Sequence, residues 1–225
     1  TLNGDYATAA LWIFISAICD GLDGKVARLT NTTSQFGVEF DSLADLVAFG
    51  VTPGLMMYSW ALRPFGRIGW LAAFLFVVCS ALRLARFNVQ VTTVESKRFV
   101  GLPTPAAACA VASTVLLFNY FGWPSSYKHV AILGLIYLLA FLMVSNVKYY
   151  SFKDPELIKR QPFGFLVLAV ILLIIIAAEP AIMIFIIMMI YIFSGPVAYL
   201  VGFPRRKRLE RLMHEAHAPQ ENKDV

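Results

Sequence analysis

The sequence predicts an all-α polytopic membrane protein, built as a bundle of transmembrane helices. Of its 225 residues, 59% are hydrophobic and 15% are charged, and the mean hydropathy is +0.69. A soluble domain of this length carries a larger share of charged side chains. Charge-poor stretches recur along the whole chain, each near the roughly 17 to 25 residues that cross a bilayer as a helix. No stretch remains for a separate soluble domain.

About seven spans are predicted. They cover residues 6–28, 35–61, 67–87, 104–122, 129–148, 163–178 and 181–202. The last two are separated by Glu179-Pro180, where proline removes a backbone donor and breaks the helix, so one long apolar run becomes a tight hairpin. We divide the chain into a transmembrane domain over 1–203 and a basic cytoplasmic tail over 204–225.

Lysines and arginines predict which side of the membrane each loop faces, because cytoplasmic loops carry them in excess. Sixteen of the 19 lie on one side if the first span ends in the cytoplasm, and only Arg63, Arg67 and Lys128 lie on the other. This bias fits seven spans with an outside N-terminus. The chain begins at Thr1, without methionine and with no basic residue before Lys25, so we expect a further N-terminal span before it. The net charge of +5 then reflects membrane orientation and not nucleic-acid binding.

Two pairs of aspartates lie in the first two predicted spans. They are Asp20 and Asp23 in the first, and Asp41 and Asp45 in the second. The spacings within the pairs are three and four residues, which place each pair on one face of its helix. Carboxylates beside apolar segments are costly unless a cation neutralises them. Four of them together therefore predict a metal site.

The turn between the two spans brings the pairs to the same depth. Residues 29–34 are polar, Ser34 is a candidate N-cap, and the centre of the turn is near Thr32. Asp23 and Asp41 each lie nine residues from that centre, and the outer pair lies twelve and thirteen residues from it. Folding of the hairpin therefore lets all four carboxylates face one another.

Ligation by carboxylate oxygens alone suits hard cations. Mg²⁺ or Mn²⁺ is expected and Ca²⁺ is compatible, whereas zinc prefers nitrogen and sulfur. Four acids can hold two ions, and a metal pair about 4 Å apart serves phosphate chemistry by holding the attacking and leaving oxygens. The alternative, that the aspartates are solvated charges or helix caps, leaves their matching depth unexplained.

Other residues of the hairpin favour a phosphate ligand. Gly24 and Gly37 leave bare backbone that a ligand or a neighbouring helix can approach. Arg28 is a fixed cation able to bind phosphate oxygens in a bidentate manner. The alternative for Arg28 is an ordinary anchor on the cytoplasmic side.

The hairpin reads Asp20-x2-Asp23-Gly24-x2-Ala27-Arg28-x8-Gly37-x3-Asp41-x3-Asp45. This resembles the signature of the CDP-alcohol phosphotransferase family at every fixed position. The resemblance implies transfer of a phosphatidyl group from a CDP-activated lipid to an alcohol, with release of CMP and with two divalent metals. It assigns Asp20, Asp23 and Asp41 as the main ligands and Asp45 to the second metal or the role of base. It assigns Gly24, Ala27, Arg28 and Gly37 to the CDP diphosphate. In the family, the expected earlier span lines part of the nucleotide pocket.

Five further runs resemble the phosphatidylserine synthase branch of this family, at 81–88, 101–107, 144–146, 149–153 and 194–196. The branch implies L-serine as acceptor, and the family implies a homodimer. Arg83 and Arg86 lie on one helix face, where they can hold the lipid phosphate or the serine carboxylate, and Asn88 is a weaker candidate for the serine pocket. The alternative for the arginines is a snorkelling pair of anchors. Residues 106–113 are small and suit close helix packing.

We therefore predict a multi-pass enzyme of the cytoplasmic membrane that transfers the phosphatidyl group of CDP-diacylglycerol to L-serine, with its active site facing the cytoplasm. Two alternatives stay open. One is a family member that uses glycerol phosphate or inositol phosphate, with Arg83 and Arg86 as the phosphate pocket. The other, in a different class, is a cation transporter whose aspartates form the permeation site. Arg28 argues against transport because it would repel the cation.

Overall fold

The computed structural model describes residues 4–30, 34–91, 99–123, 130–149, 171 and 177–217. Helices dominate these ranges. They are α1 (Tyr6–Leu29), α2 (Gln35–Leu46), α3 (Thr52–Met57), α4 (Arg67–Val91), α5 (Thr104–Tyr120), α6 (Val130–Val144) and α7 (Pro180–His217). Two short strands, β1 (Phe99–Val100) and β2 (Lys148–Tyr149), form an antiparallel ribbon that was not predicted. The prediction of a helical membrane protein is confirmed.

Four helical segments are long and apolar enough to cross a membrane. They are Tyr6–Gly24, Gln35–Phe65, Arg67–Val89 and Pro180–Tyr199, and they coincide with the spans predicted at 6–28, 35–61, 67–87 and 181–202. The spans predicted at 104–122 and 129–148 coincide with α5 and α6, which are apolar but shorter, at 17 and 15 residues. The span predicted at 163–178 lies almost entirely outside the described residues. The count of seven therefore stays a prediction.

The second segment is a continuous helical rod that contains wide turns. α2 passes into a π-helical turn at Val47–Val51, then into α3, and then into a second π-helical turn at Tyr58–Leu62. At the first turn, Thr52 donates both its backbone N–H and its hydroxyl to the Val47 carbonyl, with an Oγ1–O distance of 2.8 Å. Pro53 follows and has no N–H to donate. The wide turn lets the rod continue as a helix past this proline.

The core of the described part lies around α4, α5 and α6. α4 packs along α6, and α5 contacts both α1 and α7. The side chains of Ala107, Ala108, Ala110 and Ala112 on α5 are all completely buried. Small side chains let helix backbones approach closely in lipid, where packing rather than hydrophobic force drives association. The predicted small-residue surface of α5 is confirmed.

The predicted break at Glu179-Pro180 is present. Ala177 and Ala178 are helical, Glu179 forms a bend, and α7 begins at Pro180. α7 then continues to His217, past the predicted start of the tail at residue 204. A helix end therefore does not mark the boundary that we drew between the transmembrane domain and the tail.

Candidate active site

The aspartates are presented by α1 and α2, which a short turn connects. Thr30 is the C-cap of α1, and its N–H donates to the Val26 carbonyl. Ser34 is the N-cap of α2, because its Oγ accepts a hydrogen bond from the N–H of Gly37 at 3.0 Å. The prediction of an N-cap at Ser34 is confirmed. We call residues 20–45 the acidic hairpin.

Three of the four predicted aspartates come together across the acidic hairpin. Asp20, Asp41 and Asp45 each offer a carboxylate oxygen, and these oxygens lie within 4.8 Å of one another. Asp20 and Asp45 are half-buried, whereas Asp41 is exposed. Asp23, one turn further along α1, is exposed and lies outside this group, although its charge acts on Asp20. The structure therefore forms a three-carboxylate group with the fourth acid at its edge.

The three-carboxylate group has the donor chemistry of a hard divalent cation. Like charges at this spacing repel one another, and the repulsion is stronger beside lipid than in water. Mg²⁺ takes oxygen ligands at about 2.0–2.1 Å and usually keeps several waters, so it needs few carboxylates. Oxygens that already lie within 4.8 Å of one another fit around such an ion after small side-chain rotations. The exposure of Asp41 leaves one side accessible to a phosphate group or water.

Arg83 of α4 interacts electrostatically with the three-carboxylate group. Its side chain is 7% exposed, and its guanidinium carbon is 5.5 Å from the centre of the Phe87 ring. Its charge interacts with the Asp45 carboxylate and with the phenol of Tyr191 on α7. A buried guanidinium partly offsets the repulsion among the acids and stays charged at physiological pH. Tyr191 was not singled out in the sequence, because a tyrosine in an apolar helix is typical of packing.

Arg86, about one turn further along α4, forms hydrogen bonds at the end of α6. Its Nη2 donates to Asn146 Oδ1 at 2.7 Å, and its Nη1 donates to the Val144 carbonyl at 3.4 Å. Val144 is the last residue of α6, where backbone carbonyls have no partner within the helix, and Asn146 follows two residues later. Arg86 therefore ties α4 to α6, whereas Arg83 lies at the acids. The sequence alone did not distinguish the roles of the two arginines.

Asn88 contacts the acidic hairpin through Ser42, which was not among the predicted site residues. Its Nδ2 donates to Ser42 Oγ at 2.9 Å, and the Ser42 hydroxyl donates to the Val38 carbonyl at 3.1 Å. Ser42 directly follows Asp41, so this bond fixes α2 against the end of α4 next to the acids. Ser42 lies between the predicted ligands Asp41 and Asp45, and this position could have marked it as a site residue.

The residues predicted to bind the CDP diphosphate are described only in part. Gly37 gives its N–H to the cap, and a Cβ at this position would lie 3.1 Å from Ser34 Oγ. Gly24 is half-buried on α1. The side chains of Ala27 and Arg28 lie outside the described residues. The assignment of these four residues to the diphosphate stays a prediction.

Similarity to known proteins agrees with this site. Residues 1–145 match the profile of the CDP-alcohol phosphatidyltransferase family, and this range contains all four aspartates and both arginines of α4. Relatives named CDP-diacylglycerol–serine O-phosphatidyltransferase occur in Helicobacter pylori, Methanocaldococcus jannaschii and Bacillus subtilis.

The H. pylori protein is 51% identical over 148 residues, which cover 65% of this chain and 62% of that protein. The M. jannaschii protein is 39% identical over 142 residues, which cover 63% of each. The B. subtilis protein is 38% identical over 146 residues, which cover 65% of this chain and 76% of that protein. The match with the H. pylori protein thus spans about three-fifths of its length. The family profile covers more than half of the chain, which therefore belongs to the CDP-alcohol phosphatidyltransferase family.

Proposed function

We propose that this chain carries the active site of an enzyme that transfers the phosphatidyl group of CDP-diacylglycerol to L-serine, giving phosphatidylserine and CMP. The observation that carries this function is the three-carboxylate group of Asp20, Asp41 and Asp45 in a chain of this family. The names of the relatives support serine as the acceptor. Arg83 beside the acids supports an acceptor that bears a negative charge.

The proposed reaction is a displacement at phosphorus. The serine hydroxyl oxygen forms a bond to the phosphorus that carries diacylglycerol, and the bond from this phosphorus to the oxygen of CMP breaks. CMP leaves with the bonding electron pair. Asp45 accepts the hydroxyl proton, because it is a half-buried carboxylate on the side of the group next to Arg83.

Asp20, Asp23 and Asp41 are the main metal ligands in this reaction, and Asp45 also reaches a metal. Two divalent ions, Mg²⁺ or Mn²⁺, neutralise the diphosphate and polarise its oxygens when they are bound. The exposed position of Asp41 and Asp23 suits ligands that meet an incoming diphosphate. Gly24, Ala27, Arg28 and Gly37 line the path of the CDP diphosphate.

Arg83 receives the carboxylate of the acceptor. A guanidinium can bind a carboxylate through two parallel hydrogen bonds, and its charge cannot be lost at physiological pH. The bond from Asn88 to Ser42 supports the α2 side of this pocket. Arg86 braces α4 against α6 through its bonds to Asn146 and Val144.

The membrane arrangement that we propose has seven spans in the cytoplasmic membrane, with the acids at the cytoplasmic end. Sixteen of the 19 lysines and arginines lie on that side in this arrangement. Serine and CMP are soluble in water whereas the acyl chains stay in lipid, so the reaction belongs at the interface. Residues 204–225 form a basic cytoplasmic tail after a transmembrane domain over 1–203. The family resemblance suggests a homodimer.

Release of CMP from CDP-diacylglycerol tests this function. The purified protein in detergent is given Mg²⁺ or Mn²⁺ with L-serine, glycerol 3-phosphate or inositol phosphate in parallel. We expect release with serine alone, its loss on chelation of the metal, and its return when metal is added back. Release with a phosphorylated acceptor instead would assign the chain to another activity of the family. Absence of metal-dependent release with every acceptor would favour the cation transporter.

Substitution of the proposed base is a second test. Asp45→Asn removes the proton acceptor but keeps the size of the side chain, so we expect turnover to be lost while CDP-diacylglycerol still binds. Binding of CDP-diacylglycerol is measured directly on the same preparation. Unchanged turnover would exclude Asp45 as the base.

A further inference from the structure

The runs that resemble the phosphatidylserine synthase branch are far apart in the sequence but meet in the structure. Residues from the runs at 101–107, 144–146, 149–153 and 194–196 lie together where α5 begins and α6 ends, against α7. We call residues 99–102 and 145–149 the clasp. It contains the ribbon, in which Phe99 pairs with Tyr149 and Val100 with Lys148. The proposed reaction uses no residue of the clasp.

One backbone hydrogen bond joins the two segments of the clasp, and a second joins the clasp to α6. The N–H of Gly101 donates to the Val147 carbonyl at 2.8 Å, and the N–H of Leu102 donates to the Leu142 carbonyl at 3.0 Å. Gly101 has a φ of +84°, and a Cβ there would lie 2.4 Å from the Met143 carbonyl oxygen. Only glycine fits this close approach. The clasp therefore has a fixed position relative to α6.

Tyr149 of the clasp supplies a hydrogen bond that α7 cannot make within itself. The side chain is 1% exposed, and its hydroxyl donates to the Ile192 carbonyl at 3.1 Å. In a regular α-helix this carbonyl accepts the N–H four residues later, but that residue is Pro196, which has none. Burial raises the pKa of the Tyr149 phenol, so the hydroxyl keeps the proton that it donates.

Gly195 makes space for the ring of Tyr149. A Cβ at Gly195 would lie 2.4 Å from Cζ of that ring, so a larger residue would push α7 away from the clasp. Gly195 and Pro196 together form a socket, because the glycine admits the ring and the proline frees the carbonyl that the hydroxyl reaches. The socket fixes both the position of α7 along its axis and its rotation about that axis, relative to the clasp.

The socket also places Tyr191, the residue before Ile192 on α7. The ring centres of Tyr191 and Tyr149 are 5.6 Å apart. The Tyr191 phenol interacts with the guanidinium of Arg83, and Arg83 interacts with Asp45. Ring packing thus joins the clasp to Tyr191, and electrostatic interaction joins Tyr191 through Arg83 to the acids.

We infer that Tyr191 is a positioning residue that orients Arg83 for the carboxylate of an amino-acid acceptor, and that Tyr149 in the socket holds Tyr191 in place. This inference rests on the proposed function and adds to it the element on which selectivity for the acceptor depends. We therefore expect the clasp and the socket to affect use of the acceptor more than use of the CDP-lipid, because their interactions lead through Tyr191 to Arg83.

Tyr191→Phe tests the positioning role with the smallest change. The ring and its packing stay, but the phenol oxygen that interacts with the charge of Arg83 is lost. We expect the KM for serine to rise about tenfold, because misplacement by a fraction of an ångström is costly at a preorganised site. The KM for CDP-diacylglycerol and the thermal midpoint should stay at their wild-type values. An unchanged KM for serine, or an equal rise for both substrates, would overturn the inference.

Gly195→Ala and Gly134→Ala form a matched pair for the socket. Both glycines are in helices, but a Cβ at Gly134 has no atom within 4 Å. Gly195→Ala should raise the KM for serine at least as much as Tyr191→Phe does, whereas Gly134→Ala should leave it unchanged. Equal effects of the two substitutions would show that the socket has no specific role.

Tyr149→Phe with and without Pro196→Ala tests the hydrogen bond itself. Tyr149→Phe removes the donor for the Ile192 carbonyl, and Pro196→Ala restores a donor within α7. Tyr149→Phe should raise the KM for serine, and the double variant should show a smaller rise than Tyr149→Phe alone. A double variant that is no better than Tyr149→Phe alone would overturn the role of the socket. Wild-type protein that releases no CMP with serine would instead contradict the proposed function, so the two failures are distinguishable.

Discussion

The acidic hairpin and the clasp contact neighbouring turns of α4, yet they are built in opposite ways. α2 has no buried residue, and Phe36, Phe40 and Leu43 are 79%, 61% and 63% exposed. In the clasp, Leu102 and Tyr149 are 0% and 1% exposed. Apolar side chains that face lipid are not costly, but they give the helix few protein contacts. The acids therefore lie on a thinly packed element, whose geometry depends on the packed region beside it.

α4 connects the two regions through three polar side chains. Asn88 bonds to the acidic hairpin and Arg83 interacts with it electrostatically, whereas Arg86 bonds to Asn146 of the clasp. Substitution of an α4 residue that interacts with the hairpin should therefore change catalysis. Substitution of one that bonds to the clasp should change stability or the use of acceptor.

The largest effect is expected for a ligand in the acidic hairpin. Asp41→Asn removes one negative charge from the three-carboxylate group, and metal coordination contributes several kcal/mol to phosphoryl chemistry, so CMP release should fall about a thousandfold. The thermal midpoint should change little, because Asp41 is exposed and α2 has no buried residue. CMP release is measured at several concentrations of metal.

Glu39→Gln is the matched control for Asp41→Asn. Glu39 is exposed on the same helix, two residues earlier, and is outside the three-carboxylate group. It should keep wild-type activity. Equal losses in the two variants would mean that general negative charge, and not ligation, is what the hairpin provides.

The two arginines of α4 should separate catalysis from stability. Hydrogen bonds to charged groups contribute about 1.5–3 kcal/mol, so Arg83→Gln should raise the KM for serine roughly ten- to a hundredfold. Arg86→Gln should instead lower the thermal midpoint, because it loses the 2.7 Å bond to Asn146, and it should leave the KM for serine nearly unchanged. The reverse pattern would exchange the roles assigned to the two residues.

A smaller effect on stability is expected at the fastening of the clasp. Gly101→Ala forces a left-handed backbone conformation on alanine, which costs about 1–3 kcal/mol, and it adds a contact with the Met143 carbonyl. Gly66→Ala is the control, since Gly66 has a φ of +59° but no atom within 4 Å of its Cβ position. Gly101→Ala should lower the thermal midpoint more than Gly66→Ala does. Equal shifts of the thermal midpoint would show that backbone conformation alone, and not the close approach to Met143, requires glycine at position 101.

Local periodicity predicted the acidic hairpin better than it predicted the clasp. The cap at Ser34 and the depth of the acids follow from helix geometry and from the few residues around the turn. The clasp follows from contacts between residues far apart in the sequence, such as Tyr149 and Ile192, which no spacing along the chain encodes. Two-residue strands also carry no alternating pattern. For the same reason, the three-residue spacing of Arg83 and Arg86 placed them on one face but could not say which neighbour each would meet.

The smallest effect is expected for the bond that joins the end of α4 to the acidic hairpin. Hydrogen bonds between membrane helices contribute about 0.6 kcal/mol on average, so Asn88→Ala and Ser42→Ala should each lower the free energy of unfolding only slightly. Both variants should still lower the rate of CMP release several-fold, because α2 has few other contacts to fix Asp41 and Asp45. A double-mutant cycle measures the coupling, and the double variant should release CMP no more slowly than the slower single variant. Independent losses that multiply would mean that the bond between Asn88 and Ser42 does not hold the acids in place.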